Sequence, residues 1–514
     1  MKYNVKALLA PIIALVVVFS GCNDKEKKSG NDSNTNVESE NKSNLYDGDL
    51  TYKGDITVYA QAYQPVEPTE ENPNPPTALK SIAKKYEELH PEINIDFLTT
   101  VTGDDYITWL KTKMSAGEAP DVVWAQGTDL KGGTYPKGSM IDLAPIFEEY
   151  PNTYIGGNEK WIDTFTPSIY EQLPDENGSV WQLNADYVAT AVVYNKEMFA
   201  KADITNLPTT WEEFNVVCDK LMATGIIPYS YSMSNKYESS DRMSWLARLF
   251  YSNYYADEFQ EMAVQGSEIS LTPIEIAVAF KNGLYDVKDP KYLGWWEYMK
   301  EKETQYMPSD FISATNDNLF TFNMFVNKNI AMYFDGSWAK RDLPAANLDF
   351  EYGMFSFPHP TSNDDKYATD FNSTNAIGGP SGAFQFSIVS NRGNKTLTDD
   401  KLEACIDWLM YISTPENNST IVNDLGSFIP TIVGATAGPD SKAIIDSLDN
   451  KQQTLDGGVC VTVAYLDAYY RIYQQYLSGA ITIKEAREQL APEAEIMVNE
   501  VIDNYQGDIS QFLK

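Results

Sequence analysis

The sequence predicts an α/β protein, and two patterns carry this prediction. Between Asp55 and Trp124, a strand, an amphipathic helix, an alternating strand, a second helix and a short buried strand follow one another. This order is typical of a parallel sheet that is covered by helices. The second half of the chain keeps the same alternation. Hydrophobic residues make up 43% of the chain and aromatic residues 13%, which is enough for large cores.

The first elements are predicted from periodicity. DITVYAQAY indicates a strand that runs into a polar loop, and a Pro- and Glu-rich loop follows it. The next segment is helical because apolar side chains recur at helical spacing; these are Leu79, Ile82, Ala83, Tyr86 and Leu89. Pro91 ends this helix. INIDFLTT alternates as a second strand, and a further helix leads into the buried strand from Asp121 to Trp124.

The later elements continue the pattern. NKEMFAKADI and TTWEEFNVVCDKLMATG are predicted helices, the second with Thr209 or Thr210 as its N-cap. LFTFNMFVNKNIAMYFDGSW predicts a helix that leads into a strand from Ile330 to Phe334. GAFQFSIVS predicts another strand, and DKLEACIDWLMYIS an amphipathic helix. TIKEAREQLAPEAEIMVNEVIDNY predicts a closing surface helix or a pair of helices.

The N-terminus has the pattern of a lipoprotein signal peptide. Lys2 and Lys6 precede an apolar run from Ala7 to Phe19, which is shorter than a membrane span. Phe19-Ser20-Gly21-Cys22 resembles a bacterial lipobox with Phe in the usual Leu position. We therefore expect a signal peptide over residues 1–21, cleavage before Cys22, and a diacylglycerol on its thiol. An ordinary secretory signal is the alternative.

Residues 22–52 are predicted to be a disordered tether. From Asn23 to Asn44 the chain is almost entirely Asn, Ser, Lys, Glu and Asp. Such a segment buries too little apolar surface to offset the entropy lost on ordering. No second apolar run reaches membrane length. We therefore expect a protein on the extracytoplasmic face of the cell membrane, held by its lipid and not threaded through the bilayer.

Composition argues against several classes of function. A net charge of −34 disfavours nucleic acid as a partner, and also an anionic ligand drawn in by simple electrostatic steering. Cys218, Cys405 and Cys460 show no zinc spacing, so buried free thiols are expected, and one disulfide stays open. Two histidines leave little room for a histidine triad. Motifs for nucleotide phosphates or a serine nucleophile are lacking, and we expect neither a metal nor another cofactor.

The order of motifs resembles one known family. In chain order the motifs are MSAGEAPDVVWA, MIDLAPIF, ENGSVWQLNADYVATAVVYNKEMFAKADITNLPTTWEEF, FVNKNIAMYFDGSW, NAIGGPSGAFQFSIVSN, GSFIPT and LSGAITIKEAREQL. This series resembles the extracellular solute-binding proteins of family 1, which are the maltose-binding-protein-like, sugar-binding lipoproteins of ABC importers. The likeness runs from about Asp55 to the C-terminus, and the block around VVYNKEMF is its most specific part.

The resemblance implies a two-lobed periplasmic-binding-protein-like fold of type II, whose lobes are joined by a multi-segment hinge. Residues 53–190 plus 380–428 would form the N-terminal lobe, and residues 191–379 plus 429–514 the C-terminal lobe. The crossing segments would be VATAVVYNK, GGPSGAFQF and GSFIPT. The implied function is that of a monomeric receptor, not an enzyme, which passes a sugar to ABC permease subunits in the membrane.

A sugar site needs aromatic rings against the C–H faces of the sugar and polar side chains for its hydroxyls. The candidates lie at the ends of predicted strands, where α/β sheets place ligand crevices. The resemblance implies that Trp338, in DGSW, stacks on the sugar. The full set of predicted ligand-binding residues is Trp338, Asp335, Gln126, Asp129, Tyr63, Gln64, Asp186, Tyr187 and Trp245.

These residues also have structural interpretations. Trp338 can instead cover the sheet edge, and Asp335 can shape its turn. Tyr63 and Gln64 can lie in a solvent-exposed loop. Trp245 lies in the long region from Tyr231 to Phe311, where the resemblance is least clear, and its spacing there also fits a hydrophobic core.

Two other functions stay open at this point. A secreted, lipid-anchored glycoside hydrolase needs two carboxylates that flank the scissile bond, and 73 acidic residues always offer such a pair. The same fold binding a non-sugar solute, such as a peptide or a polyamine, is the other. The abundance of aromatic residues favours a carbohydrate, and in particular an oligosaccharide.

Overall fold

Two β-sheets, each flanked by helices, organise the chain. The computed structural model describes residues 46, 48, 50–68, 75–99, 106–127, 130, 134–170, 173–175, 178–233, 243–264, 271–312, 318–370, 378–379, 383–438, 462–505, 507 and 509–512. The predicted signal peptide, Cys22, most of the tether, Asp129 and Cys460 lie outside the described residues.

Five strands form the first sheet. They are β1 (Gly54–Tyr59), β2 (Ile93–Phe97), β3 (Val122–Trp124), β4 (Leu183–Asn184) and β10 (Gln385–Ile388). Their order across the sheet is β2-β1-β3-β10-β4. β1 is parallel to both of its neighbours, and β10 is antiparallel to β3 and β4. Helices α1 (Ala78–Leu89) and α2 (Tyr106–Ala116) connect the parallel strands, which confirms the predicted alternation.

The second sheet is built around one long strand. Its strands are β5 (Asp186–Asn195), β6 (Ile227–Ser230), β7 (Ile330–Gly336), β8 (Tyr352–Phe355), β9 (Gly378–Gly379) and β11 (Ile429–Pro430). β11, β5, β7 and β6 lie side by side in this order, and β8 and β9 also pair with β5. β6 is parallel to β7, whereas β5 is antiparallel to all of its partners.

β5 carries the chain from the first sheet to the second. One residue, Ala185, separates it from β4, and its first residues pair with β11 and then with β9. Only its later residues pair with β7 and β8. β9 precedes the first-sheet strand β10, and β11 follows helices that pack on the first sheet. The chain therefore crosses between the sheets in three neighbouring segments: at β5, between β9 and β10, and at β11.

The remaining helices cover the two sheets. They are α3 (Ala144–Glu149), α4 (Pro167–Tyr170), α5 (Lys196–Lys201), α6 (Trp211–Ala223), α7 (Met243–Tyr254), α8 (Ala256–Met262), α9 (Pro273–Asn282), α10 (Gly294–Tyr306), α11 (Asn318–Val326), α12 (Ala339–Ala345), α13 (Asp399–Ile412), α14 (Pro415–Leu425), α15 (Val463–Leu477) and α16 (Ile483–Asn504). Short 3₁₀ helices cover Gln61–Tyr63, Trp161–Thr164 and Ile509–Phe512.

Helix ends follow the capping signals of the sequence. At the start of α6, Thr210 Oγ1 accepts a hydrogen bond from the Glu213 N–H at 3.2 Å, and the Glu213 carboxylate accepts one from the Thr210 N–H. This capping box confirms Thr210 as the N-cap. α16 passes through Pro492 as one helix, so the alternative of a helix pair is not observed.

Each sheet has its own hydrophobic core. Ile56, Phe386 and Trp408 belong to the core of the first sheet, and Phe334 belongs to that of the second. The described part of the region from Tyr231 to Phe311 forms α7 to α10, whose aromatic side chains extend the second core. Two adjacent tryptophans there, Trp295 and Trp296, are fully buried, so they belong to the core and not to an open site.

The thiols and the membrane prediction can also be compared with the structure. Cys218 and Cys405 are buried free thiols, as expected for these two residues. Among the described residues, no helix combines the length and the apolarity needed to cross a bilayer. Tyr46, which precedes the predicted start of the folded part, is buried, and its hydroxyl donates to Asp407 Oδ1 at 3.1 Å.

Candidate functional site

The carboxyl edge of the first sheet gathers several of the predicted residues. Because β1 and β3 are parallel, the loops that follow Tyr59 and Trp124 leave the sheet on the same side. β10 is antiparallel, so it begins at this edge with Gln385, which pairs with Asn184 at the end of β4. Open α/β sheets bind ligands at such an edge.

The second sheet presents its carboxyl edge to the same place. β6 and β7 are parallel, and β7 ends at Gly336, which pairs with Thr190 of β5. The residues of β5 that precede Thr190 extend beyond this edge toward the first sheet. The two carboxyl edges therefore meet at the short stretch from Ala185 to Ala189. We call the space between these edges the crevice, and it is the candidate site.

Trp338 lies between the two cores. It follows β7, and the preceding Ser337 donates its N–H to the carbonyl of Ala189 in the crossing strand at 2.7 Å. The half-buried indole packs against the core of the first sheet, although its backbone belongs to the second. A Cβ on Gly336 would lie 2.2 Å from Cζ3 of this indole. Gly336 is therefore required for this orientation of Trp338.

Trp245 meets Trp338 from the other side. The centroids of the two rings are 5.8 Å apart, and their planes form an angle of 75°. Trp245 is half-buried on α7 and packs against the second core, with its ring 6.5 Å from that of Phe357. The structure thus brings together two tryptophans that lie 93 positions apart in the numbering, each packed on a different core.

Tyr63 and Asp186 form a hydrogen bond at the hinge. The Tyr63 hydroxyl donates to Asp186 Oδ2 at 2.9 Å, and the N–H groups of Ala383 and Phe384 donate to the same oxygen at 3.0 Å each. Burial raises the pKa of Asp186 to about 6, although these three hydrogen bonds act in the opposite direction. Burial also raises the pKa of Tyr63 well above its ordinary value.

Tyr187 lies in the crossing strand β5, and Asp335 lies in the neighbouring strand β7. Tyr187 is half-buried beside Ala189 and Ile429. Burial raises the pKa of Tyr187 to about 12, and the positive charge of Arg248 acts in the opposite direction. Asp335 lies in β7 next to Gly336 and is 8% exposed, so this carboxylate is at the edge but largely covered.

Gln64 and Gln126 lie in loops that follow strands of the first sheet. Gln64 is buried, and its Oε1 accepts a hydrogen bond from the Ala60 N–H at 2.9 Å, which closes the loop after β1. Gln126 is half-buried after β3, on the loop whose Gly127 N–H donates to Gln385 Oε1 at 3.1 Å.

Two residues at this site were missed by sequence reasoning. Arg248 lies three residues after Trp245 on α7, and this helical spacing places both side chains on one face. Asn184 is fully buried, and within the described part of the chain neither of its amide atoms has a hydrogen-bond partner. The signal for Arg248 in the sequence is its i, i+3 spacing from Trp245. The signal for Asn184 is its position at the end of a strand.

Comparison with known sequences identifies relatives of this chain. Residues 29–410 match the family model of the bacterial extracellular solute-binding proteins. A binding protein of Brucella abortus (strain 2308) is 28% identical over 164 residues, which cover 32% of this chain and 36% of that protein. The multiple sugar-binding protein of Streptococcus mutans serotype c is 24% identical over 292 residues, which cover 54% and 59%. The chain thus matches less than two thirds of the length of these relatives.

Solved structures share the fold. A family 1 extracellular solute-binding protein from Bifidobacterium longum subsp. infantis has a TM-score of 0.57 at 18% identity, over 86% of this chain and 99% of its own. A chitin oligosaccharide binding protein has a TM-score of 0.59 at 19% identity, over 87% and 99%. The predicted type II fold, with two lobes and a multi-segment hinge, is confirmed. With its family model matched over most of its length, the chain belongs to the bacterial extracellular solute-binding proteins of family 1.

Proposed function

We propose that this protein is the lipid-anchored substrate-binding protein of an ABC importer. It captures a sugar or oligosaccharide in the crevice between the two carboxyl edges and delivers it, chemically unchanged, to a membrane permease. The lipobox-like segment that ends at Cys22 supports the anchor. The family of the chain, and its similarity to proteins that bind sugars and chitin oligosaccharides, support a carbohydrate ligand.

The observation that carries this proposal is the pair formed by Trp338 and Trp245. The two half-buried indoles meet at the crevice, one packed on each core. An apolar indole face matches the C–H face of a pyranose, and an indole N–H can bond a hydroxyl. A sugar that touches both rings is therefore in contact with both lobes at once.

Polar groups around the rings supply the hydroxyl contacts in this proposal. Asp335 and Gln126 offer acceptors from opposite lobes, and Tyr187 offers a phenol at the hinge. Arg248 adds a guanidinium, whose planar fork of donors suits a pair of neighbouring hydroxyls. Such groups set specificity, because a buried hydroxyl without a partner costs affinity.

Closure of the crevice follows from contact with both lobes. A ligand shifts the protein toward the closed form by the difference between its affinities for the two forms. A micromolar affinity corresponds to about −8 kcal/mol, which one or two stacked rings and several hydrogen bonds can provide. The energy of transport then comes from a separate ATPase that acts with the permease.

The first test is a thermal-shift screen with maltotriose, raffinose, xylotriose and chitotriose, followed by calorimetry. A ligand that binds the native state raises the melting temperature. We expect Trp338→Ala to weaken the affinity for the responding sugar at least about 30-fold, or about 2 kcal/mol, because a buried aromatic contact is lost.

Phe322→Ala is the matched control for this test. Phe322 is also half-buried, but it lies on α11, which leads into the amino end of β7 and not its carboxyl edge. Its loss should lower stability and leave affinity unchanged. Equal affinities of wild type and Trp338→Ala would remove Trp338 from the site. Release of reducing ends from the bound oligosaccharide would favour a glycoside hydrolase instead.

A further inference from the structure

One oxygen atom of Asp186 receives three hydrogen bonds from two distant parts of the chain. The Tyr63 hydroxyl reaches it at 2.9 Å, and the N–H groups of Ala383 and Phe384 reach it at 3.0 Å each. Asp186 is fully buried. Hydrogen bonds to an ionised carboxylate are stronger than those between neutral groups, so this oxygen holds its partners firmly.

These partners belong to the segments that join the lobes. Asp186 opens the first crossing strand and pairs with Pro430 of the third crossing. Phe384 leads from the second crossing into β10. The ring of Tyr63 also contacts these segments, with its centroid 5.7 Å from that of Phe384 and 6.3 Å from that of Phe428, just before β11. One carboxylate and one phenol thus contact all three crossings.

Tyr63 connects this group to the loop after β1. A hydrogen bond within the loop joins its two ends, because the Ala60 N–H donates to Gln64 Oε1 at 2.9 Å. Its position is therefore determined at one end by β1 and at the other by the bond between Tyr63 and Asp186. Without that bond, the loop would lose a buried polar connection to the hinge.

We propose that Asp186 is a positioning residue, which fastens the loop at Tyr63 and Gln64 to the crossing segments. The loop and the base of the hinge then move as one body when the crevice closes. This inference rests on the proposed function in one respect, namely that closure occurs on a sugar. The alternative is that Asp186 and Tyr63 contact the sugar directly and independently of one another.

The test compares four variants: Tyr63→Phe, Asp186→Asn, Asp186→Ala, and the double variant of Tyr63→Phe with Asp186→Ala. Hydrogen exchange of the sugar-free protein is followed by mass spectrometry on peptides that contain Ala383 and Phe384. In Asp186→Ala these two amides have lost their acceptor, so we expect faster exchange. Asp186→Asn keeps one acceptor oxygen and should restore most of the protection.

Calorimetry with the responding sugar of the four-sugar panel gives the second readout. In Asp186→Ala we expect the apparent Kd to rise about tenfold, which corresponds to a loosened loop that leaves about a tenth of the protein competent to bind. Residues that act through one another show non-additive effects. The double variant should therefore bind no more weakly than Asp186→Ala alone.

Tyr86→Phe is the matched control, since Tyr86 is also fully buried and its hydroxyl donates to a carboxylate, Asp407 Oδ2, at 2.8 Å within the first core. It should lower the melting temperature without changing exchange at 383–384. Unchanged exchange in Asp186→Ala, or additive losses of affinity in the double variant, would overturn the inference. If the wild type binds none of the four sugars, the exchange data still decide on the fastening, and that failure counts against the proposed function alone.

Discussion

Single residues determine the geometry of the crevice. Trp338 reaches across to the core of the first sheet because the preceding turn is bonded to Ala189 and because Gly336 leaves room for the indole. The contact between Trp338 and Trp245 then depends on Gly336, because this residue has only a hydrogen atom in the position where other residues carry a Cβ. The proposed stacking surface is therefore as sensitive to Gly336 as to the tryptophans themselves.

Gly336→Ala is expected to displace the indole of Trp338. The added Cβ would lie 2.2 Å from Cζ3, which forces a shift of the ring or the backbone and costs about 1–3 kcal/mol of stability. Sugar affinity, measured by calorimetry, should fall nearly as far as in Trp338→Ala. Gly156→Ala is the control, because nothing lies within 4 Å of its Cβ position. Unchanged sugar affinity in Gly336→Ala would show that the orientation of Trp338 does not matter for binding.

The sequence indicated candidate residues at strand ends, but not the contacts between them. The local pattern placed DGSW at a strand end, and the resemblance to a family implied the stacking role of Trp338, which stays a prediction. The bond between Tyr63 and Asp186 was not predicted, because it joins residues 123 positions apart. The i, i+3 spacing of Arg248 from Trp245 is a local signal, but the interaction of Arg248 with Tyr187 depends on how α7 packs against the hinge.

At the scale of elements, a buried carboxyl joins three segments of the second lobe. Glu303 of α10 is fully buried and accepts hydrogen bonds from Tyr231, just after β6, and from Tyr473 of α15. Tyr473 reaches both carboxylate oxygens at 2.9 Å. Burial raises the pKa of Glu303 to about 8, although the two phenols act in the opposite direction.

This raised pKa predicts how stability changes with pH. The folded protein binds the Glu303 proton more tightly than the unfolded chain, whose pKa is near 4.5. The contribution of the Glu303 proton to the free energy of unfolding is therefore complete below about pH 4.5, and it is lost as the pH rises through about 8. Since a tenfold difference in proton affinity corresponds to about 1.4 kcal/mol, the loss amounts to several kcal/mol.

Glu303→Gln should remove this pH dependence. The melting temperature of the variant relative to that of the wild type is expected to rise between pH 5 and pH 9, because the amide stays neutral throughout. Glu301→Gln, on the exposed face of the same helix, is the control and should track the wild type. A constant difference between Glu303→Gln and wild type over this range would contradict the assignment.

Most elements could be predicted because their signals are local. The 3.6-residue period of α1 and the capping box of α6 depend on a few neighbouring residues. The periodicity failed at the last position of α1, where Leu89 is 58% exposed. The pairing of β5 with β9 and β11 had no local signal. The resemblance to a family implied that these segments cross between the lobes, but not that they pair.

At the scale of the whole molecule, the proposed lipid anchor makes a separate prediction. Cys22→Ser removes the thiol that would carry the diacylglycerol, and one or two lipid chains supply most of the free energy of such anchoring. In cells given labelled palmitate, we expect the wild type to incorporate the label and to stay with the membrane fraction. The variant should be unlabelled. Incorporation of label into Cys22→Ser would place the lipid elsewhere or exclude this anchor.

The charge of the molecule fits the proposed ligand. A chain with a net charge of −34 repels polyanions and gains little from an anionic ligand held at a distance. An uncharged sugar is recognised instead by short-range contacts with rings and hydroxyl partners, which are the groups that the two carboxyl edges bring together. The negative charge is therefore compatible with the uncharged sugar that we propose as the ligand.

The most direct test of the central claim is a crystal structure of the protein with the sugar that responds in the thermal screen. We expect a sugar ring against the indole of Trp338, within reach of Trp245 and in contact with residues of both lobes. Density for the sugar only in the surface depression of about 430 Å³ between α1 and β2, with the crevice unchanged, would contradict it.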